Sequence, residues 1–143
     1  MKPLITVDTL CMDFDGKRVL DNISFEISEG EVLGIIGRSG AGKTVLMHLI
    51  RGVEQPPTSG SIIYHIAACD TCEFIGVGSS AGTSCPRCGG RMQALDVDFW
   101  DENNNTLKRR IMHSTAIMFQ RTFALYGNDR VIENVLHALD DID

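Results

Sequence analysis

The sequence predicts an α/β fold in which an antiparallel β subdomain joins a partial parallel sheet with helices, and into which a further module is inserted. Apolar and polar residues alternate over residues 5–27. A glycine-rich loop separates a β-branched run from an amphipathic segment within residues 32–51, and the composition changes between residues 67 and 98. The 143 residues, 43% of them hydrophobic, are enough for one compact core.

The first strands are expected at residues 5–14 and 19–27, where apolar side chains alternate with polar ones. Asp15-Gly16 supplies the turn between them, so the two strands should form an antiparallel hairpin. Residues 32–36 form a short β-branched run, which is typical of a strand buried on both faces of a parallel sheet.

The segment after the glycine-rich loop reads as a helix followed by a strand. Residues 44–51 carry apolar side chains at helical spacing, and Gly52 ends the helix. A strand is expected at residues 61–66, after a turn at Ser59-Gly60.

An inserted module interrupts this order. Glycine, serine and cysteine replace periodic apolar residues over residues 67–98. Regular structure should resume with a helix near residues 107–112, a buried strand at 115–119 and a last helix at about 130–139. The expected division is a core of residues 1–66 and 99–143 and an insertion of residues 67–98.

Charge and hydropathy exclude two classes of partner. The net charge is −6, and the basic residues are scattered except for Lys108-Arg109-Arg110, so nucleic acid is not expected to bind. The longest apolar runs fall far short of the roughly 20 residues that span a bilayer. The amino terminus has no signal-peptide pattern, so a cytoplasmic protein is expected.

The glycine-rich loop satisfies the pattern G-x-x-x-x-G-K-[ST]. Glycines let the backbone curl so that several N–H groups can face a phosphate. Lysine would reach the β- and γ-phosphates, threonine would complete the coordination of Mg²⁺, and the following helix would add its positive end. The predicted ATP-binding residues are Gly37, Arg38, Ser39, Gly40, Ala41, Gly42, Lys43 and Thr44.

The insertion carries two C-x-x-C pairs, Cys69 with Cys72 and Cys85 with Cys88. Two tight turns can present four thiolates to one metal ion, and a closed four-sulfur shell is typical of a structural Zn²⁺ in a zinc-ribbon-like module. Iron, an iron–sulfur cluster and redox-active thiols remain open, because ligand softness does not separate them from zinc. His65 is interpreted as a strand residue, and the fifth cysteine, Cys11, likewise.

Beyond the loop, the chain resembles the ABC ATPase family. The stretches that carry the likeness are residues 20–25, 29–31, 57–62 and 118–120, together with an aromatic residue upstream, Phe14. The resemblance implies a P-loop NTPase core of the ABC type. It implies that Phe14 stacks on adenine and that Gln120 senses Mg²⁺ and the γ-phosphate, which makes Lys43 and Gln120 the implied catalytic residues. It also implies a second ABC domain that completes the ATP sandwich.

A closer likeness is to the ATP-binding components of the methyl-coenzyme M reductase activation system of methanogenic archaea. It runs through residues 38–48, the cysteine insertion, residues 97–100 and residues 117–127. It implies an ATPase that powers reductive activation of the reductase, with the reductase and its activation proteins as partners. Glu73 departs from the knuckle pattern, in which glycine usually follows the second cysteine.

Two other functions stay open. One is the ATP-binding subunit of a membrane transporter, and the other is a non-catalytic zinc-ribbon adaptor that keeps the loop as scaffold. The sequence ends at Asp143, ahead of the family's signature segment, acidic strand and switch histidine. These residues alone are therefore expected not to hydrolyse ATP. The insertion is expected to dock a partner protein.

Overall fold

A computed structural model describes residues 2–116 of the chain. Within that range it contains one five-stranded sheet and two α-helices. The elements are β1 (Pro3–Phe14), β2 (Lys17–Ser28), α1 (Lys43–Arg51), β3 (Ser59–Cys69), β4 (Ile75–Val77), β5 (Met92–Asp98) and α2 (Asn105–His113). The predicted hairpin, the loop helix and the helix near 107–112 are confirmed.

β3 joins the two parts of the sheet. Its first half pairs with β1, with Ile62 opposite Val7 and Tyr64 opposite Ile5. Its second half pairs with β4 at residues 66–68, while β5 pairs with residues 63–69. Because β5 overlaps both β1 and β4 along β3, it must occupy the opposite edge of that strand. The sheet therefore continues without a break from the β1–β2 hairpin into the cysteine-containing segment.

The predicted partial parallel sheet is absent from the described range, where every strand pairing is antiparallel. Residues 32–36 have no regular secondary structure, and Val32 and Ile36 are 96% and 100% exposed. The prediction of a buried strand there is wrong for the structure as described. A strand needs a neighbour for its N–H and C=O groups, and none of the strands within residues 2–116 pairs with this run.

One hydrophobic core joins the sheet to both helices. α1 contributes Leu46 and Leu49, and α2 contributes Ile111. The last carbonyls of a helix have no partner within the helix. In α1, two of them accept from aromatic side chains: Tyr64 Oη donates to Ile50 O (2.7 Å) and Trp100 Nε1 donates to Leu49 O (3.1 Å). The other buried members are Ile5, Val7, Leu10, Met12, Leu20, Ile62, Tyr64, Ile66, Val97 and Phe99.

Some predictions fall on other parts of the chain. The expected helix at 130–139 lies outside the described residues, and so does the expected strand at 115–119 apart from Thr115 and Ala116, which are not in a strand. Between residues 2 and 116, no helix is both long and apolar enough to cross a membrane.

A close backbone crossing fixes the place where β3 begins beside β1. Thr9 interrupts the β1 register with a φ of +47°, and its amide donates to Ser24 Oγ at 2.8 Å. Gly60 lies against this bulge with a φ of +85°. A Cβ on Gly60 would meet the carbonyl oxygens of Thr9 and Asp8, the latter at 2.6 Å. Only glycine fits there.

Gly60→Ala should lower the free energy of unfolding by about 2 kcal/mol or more, because strain and overlap with backbone act together. Gly30→Ala is the matched control, since Gly30 has a φ of +76° and a Cβ added there would meet nothing within 4 Å. Gly30→Ala should lower the free energy of unfolding by about 1 kcal/mol, because only the backbone conformation is unfavourable there. Denaturant unfolding of both variants measures the difference, and equal losses would contradict the role given to the close crossing.

Candidate functional site

The glycine-rich loop leads directly into α1. Gly40 and Gly42 have φ values of +80° and +85°, which favour glycine. Inside the loop, the amide of Ala41 donates to Arg38 O at 3.2 Å, and the helix begins with the Leu46 amide donating to Gly42 O at 2.9 Å. The expected order of loop and helix is therefore confirmed.

Lys43 folds back over this loop. Its Nζ donates to Gly37 O at 2.7 Å and to Arg38 O at 2.8 Å. The ammonium group is thus held at the loop by two backbone carbonyls. Since residues 37–41 are exposed, a phosphate could compete for this lysine without any rearrangement of the core.

The first turn of α1, which begins at Lys43, adds positive potential. No side chain caps the helix at Gly42, and the first turn contains no acidic residue. The leading amides of a helix have no partner within the helix and carry a partial positive charge. Thr44 lies exposed in this turn, one residue after Lys43. Loop, lysine and helix end together could bind an anion.

The β1–β2 hairpin packs beside the loop. A Cβ on Gly42 would lie 2.9 Å from Leu20 Cδ2 and 3.0 Å from Val19 O, so β2 reaches the start of α1. Phe14 ends β1, pairs with Lys17 across the hairpin and packs half-buried against the core. Phe14 therefore belongs to the hairpin that contacts the loop, and its base-stacking role stays a prediction. Gln120 lies outside the described residues.

The four cysteines of the two C-x-x-C pairs come together in space. Their Sγ atoms all lie within 4.8 Å of one another, and the distances are 3.5 Å for Cys69–Cys88 and 3.7 Å for Cys72–Cys85. These separations are too long for disulfide bonds. They are close to the edge of about 3.8 Å that a tetrahedron of sulfurs has around zinc when each Zn–S bond is about 2.3 Å. The donor set fits one metal ion.

Backbone amides donate to two of these sulfurs, those of Cys69 and Cys88. Burial acts to raise the pKa of Cys69, but amide donation from Thr71 and Cys72 outweighs it and lowers the pKa to about 7. At Cys88, the Gly90 amide acts to lower the pKa, while the neighbouring sulfurs of Cys72 and Cys69 raise it above the ordinary value. Cys69 therefore loses its proton well before Cys88, and thiolate is the form that binds metals.

Side chains outside the module hold it in place. Arg110 of α2 donates to the carbonyls of Cys72 (3.1 Å), Glu73 (3.0 Å) and Phe74 (3.2 Å). Glu29 accepts the Ser79 amide at 2.7 Å, and hydrogen bonding first from the Ser79 side chain and then from this amide lowers the pKa of its carboxyl. The sequence marks Arg110 only as one of three basic residues in a row. No local pattern links it to residues 36 to 38 positions earlier.

His65 and Cys11, which the sequence predicts to be strand residues, do lie in strands. The ring of His65 lies between Thr6 Oγ1 (2.9 Å from Nε2) and Asp96 Oδ1 (2.7 Å from Nδ1), away from the cysteine sulfurs. Cys11 is buried in β1, and its sulfur accepts the amide of Asn22 at 3.3 Å. Neither belongs to the four-cysteine group.

Comparison with known proteins agrees with the loop geometry. The family described as ABC transporter matches residues 20–140. An ABC transporter ATP-binding protein of Methanocaldococcus jannaschii is 50% identical over 139 residues, which cover 95% of this chain and 25% of the relative. The match extends across the cysteine segment.

Two shorter matches are also to ATP-binding proteins, one of which is named for zinc import. The zinc import ATP-binding protein ZnuC of Vibrio parahaemolyticus is 46% identical over 63 residues, covering 44% of this chain and 24% of the relative. The ATP-binding protein BexA of Haemophilus influenzae is 39% identical over 102 residues, covering 67% and 46%. The chain thus spans less than half the length of each of these relatives.

Proposed function

Because the chain belongs to the ABC transporter family of ATP-binding domains, we propose that it binds Mg-ATP at the loop of residues 37–44. The observation that carries the proposal is the ammonium of Lys43, held against the loop carbonyls at the start of α1. Lys43 would exchange these carbonyls for the β- and γ-phosphates of ATP, which are stronger acceptors. The Thr44 hydroxyl would join the coordination of Mg²⁺, which spreads the phosphate charge.

Two further contacts complete the proposed nucleotide site. Phe14 would stack on the adenine from the hairpin that packs against Gly42. Gln120 would couple the γ-phosphate and Mg²⁺ to movement. Hydrolysis would require a second ABC domain, which closes over the nucleotide from the other side. In this proposal the assembly works in the cytoplasm.

Lys43→Ala should weaken Mg-ATP binding about 10- to 100-fold, the usual worth of a charge-assisted hydrogen bond. Its melting temperature should stay close to that of the parent, because the lysine contacts only loop carbonyls. Calorimetric titration measures the affinity, and Lys2→Ala is the control because Lys2 is exposed at the other end of the β1–β2 hairpin. Equal affinity in Lys43→Ala and Lys2→Ala would disprove the assigned role.

We propose further that the four cysteines bind one structural Zn²⁺. A shell of four sulfurs leaves no position for water or substrate, so a bound ion would hold the fold of the segment rather than do chemistry. In this proposal residues 67–98 form a zinc-ribbon-like module set between two parts of the core, residues 1–66 and 99–143. The same sulfurs suit iron, which remains the alternative metal.

Cys85→Ser should lower the metal content of the purified chain from about one ion to near zero, because it removes one of four ligands. The nucleotide affinity should persist, since the loop lies on a different element. Elemental mass spectrometry counts the ions and separates zinc from iron. Cys11→Ser serves as the control, because Cys11 is a buried thiol outside the cluster. An unchanged metal content in Cys85→Ser would refute the site.

The process that ATP drives is proposed from resemblance. The cysteine insertion and its flanking motifs favour reductive activation of methyl-coenzyme M reductase. The second candidate is transport across a membrane. It is favoured by the names of two matched relatives, an ABC transporter ATP-binding protein and a zinc import ATP-binding protein. None of the three relatives described above carries the reductase in its name. A non-catalytic adaptor is the third candidate, in which the loop serves only as scaffold.

Affinity purification of the full-length protein from its own cells separates these candidates. The first proposal predicts that the reductase and its activation proteins co-purify. A membrane permease in their place would overturn it in favour of transport. Calorimetry on the same preparation should show heat on addition of Mg-ATP, whereas an adaptor should show none.

A further inference from the structure

Arg110 makes an unusual set of contacts for a basic residue on a helix. Its guanidinium donates to three successive carbonyls, those of Cys72, Glu73 and Phe74, at distances of 3.0 to 3.2 Å. These carbonyls surround the second ligand of the first C-x-x-C knuckle. Ile111, the next residue, is buried in the main core, so the helix that carries Arg110 is anchored independently of the knuckle.

The two knuckles are built differently. Both share one bond, from the Cys69 amide to Phe74 O (3.0 Å) in the first and from the Cys85 amide to Gly90 O (2.6 Å) in the second. The second adds a glycine turn, in which Gly89 has a φ of +78° and its amide donates to Cys85 O at 2.9 Å. Glycine thus closes the turn behind Cys88. In the first knuckle the matching residue is Glu73, which does not adopt a positive φ. A side chain there would make the left-handed turn costly.

Arg110 supports the first knuckle from outside, where no glycine turn follows the second cysteine. A guanidinium presents its donors in a rigid plane, so one side chain can fix several neighbouring carbonyls at once. The carbonyls of Cys72 and Glu73 are held from outside the turn, and that of Phe74 accepts both from Arg110 and from the Cys69 amide within the knuckle. The direction of Cys72, and so of its sulfur, then depends on the position of α2.

We propose that Arg110 is the positioning residue of the first knuckle, and that it links metal binding at the four cysteines to the order of α2. This inference rests on the proposed metal site. Linkage is reciprocal: if Arg110 strengthens metal binding by holding the knuckle, then bound metal stabilises the helix that supplies Arg110 by the same factor.

Zinc affinity of the full chain tests the first half of this proposal. Residues that orient metal ligands typically change affinity by about 10- to 100-fold, and we expect a loss of about tenfold or more in Arg110→Met. Arg110→Lys should lose less, because it keeps one charged donor. Arg109→Met is the matched control, since Arg109 is the exposed neighbour on the same helix and should bind zinc as the parent does. Competition with a chromophoric zinc chelator measures all four proteins.

A rescue variant separates positioning from a general loss of stability. Glu73→Gly allows the first knuckle to form the glycine turn of the second one. Adding Glu73→Gly to Arg110→Met should therefore restore most of the lost zinc affinity. A purely structural contribution of Arg110 to α2 would leave the double variant as weak as Arg110→Met.

Hydrogen exchange tests the second half. Zinc should slow the exchange of the α2 amides in the parent and in Arg109→Met, and this protection should vanish in Arg110→Met. If the parent binds no zinc, the proposed metal site fails and this inference fails with it. If the parent binds zinc but Arg110→Met and Arg109→Met show equal affinity and equal protection, the metal site stands and the role of Arg110 is wrong.

Discussion

The register of β3 is the constraint on which the other features depend. Ile62, Tyr64 and Ile66 point into the core from one face of this strand. A shift of one residue would turn all three toward solvent, because side chains alternate along a strand. The same strand ends at Cys69, the first member of the four-cysteine group. The alternation that places Tyr64 under α1 therefore also fixes where the first knuckle begins.

Phe99 packs the end of β5 against the end of the loop helix α1. It is fully buried at the end of β5 and contacts Tyr64 and Trp100 with ring centroids 5.2 and 5.5 Å away. Gly52 follows α1 with a φ of +81°, and a Cβ there would lie 2.7 Å from the Phe99 ring. Glycine therefore serves twice at this position, since it ends the loop helix and lets the ring approach.

Sequence patterns predict what depends on near neighbours in the chain. The alternation in β1 and β2, the glycines of the loop and the paired cysteines all act over a few residues, and each leads to the right element or cluster. The prediction for residues 32–36 is wrong because their composition indicates burial, whereas a strand forms only beside another strand. β3 extends through Ala67 and Ala68 into the expected insertion, where it pairs with β4 and β5. The contacts of Arg110 escape sequence patterns because their partners lie 36 to 38 positions earlier.

The two candidate sites differ in how much they need their ligands. The loop rests on a core of many apolar side chains, and Lys43 already has two carbonyl partners there. The cysteine segment has a small buried cluster of its own, made of Ala67, Cys69, Cys85 and Met92. Half of that cluster is cysteine sulfur, and a thiolate buried there would be costly unless a cation neutralised it. Sheet pairing and Arg110 can hold the backbone of the segment, but the bonds of Arg110 go to carbonyls and not to sulfurs. If the two proposed sites are right, the need for a bound ligand is therefore concentrated in the cysteine segment, while the glycine-rich loop can form before a nucleotide binds.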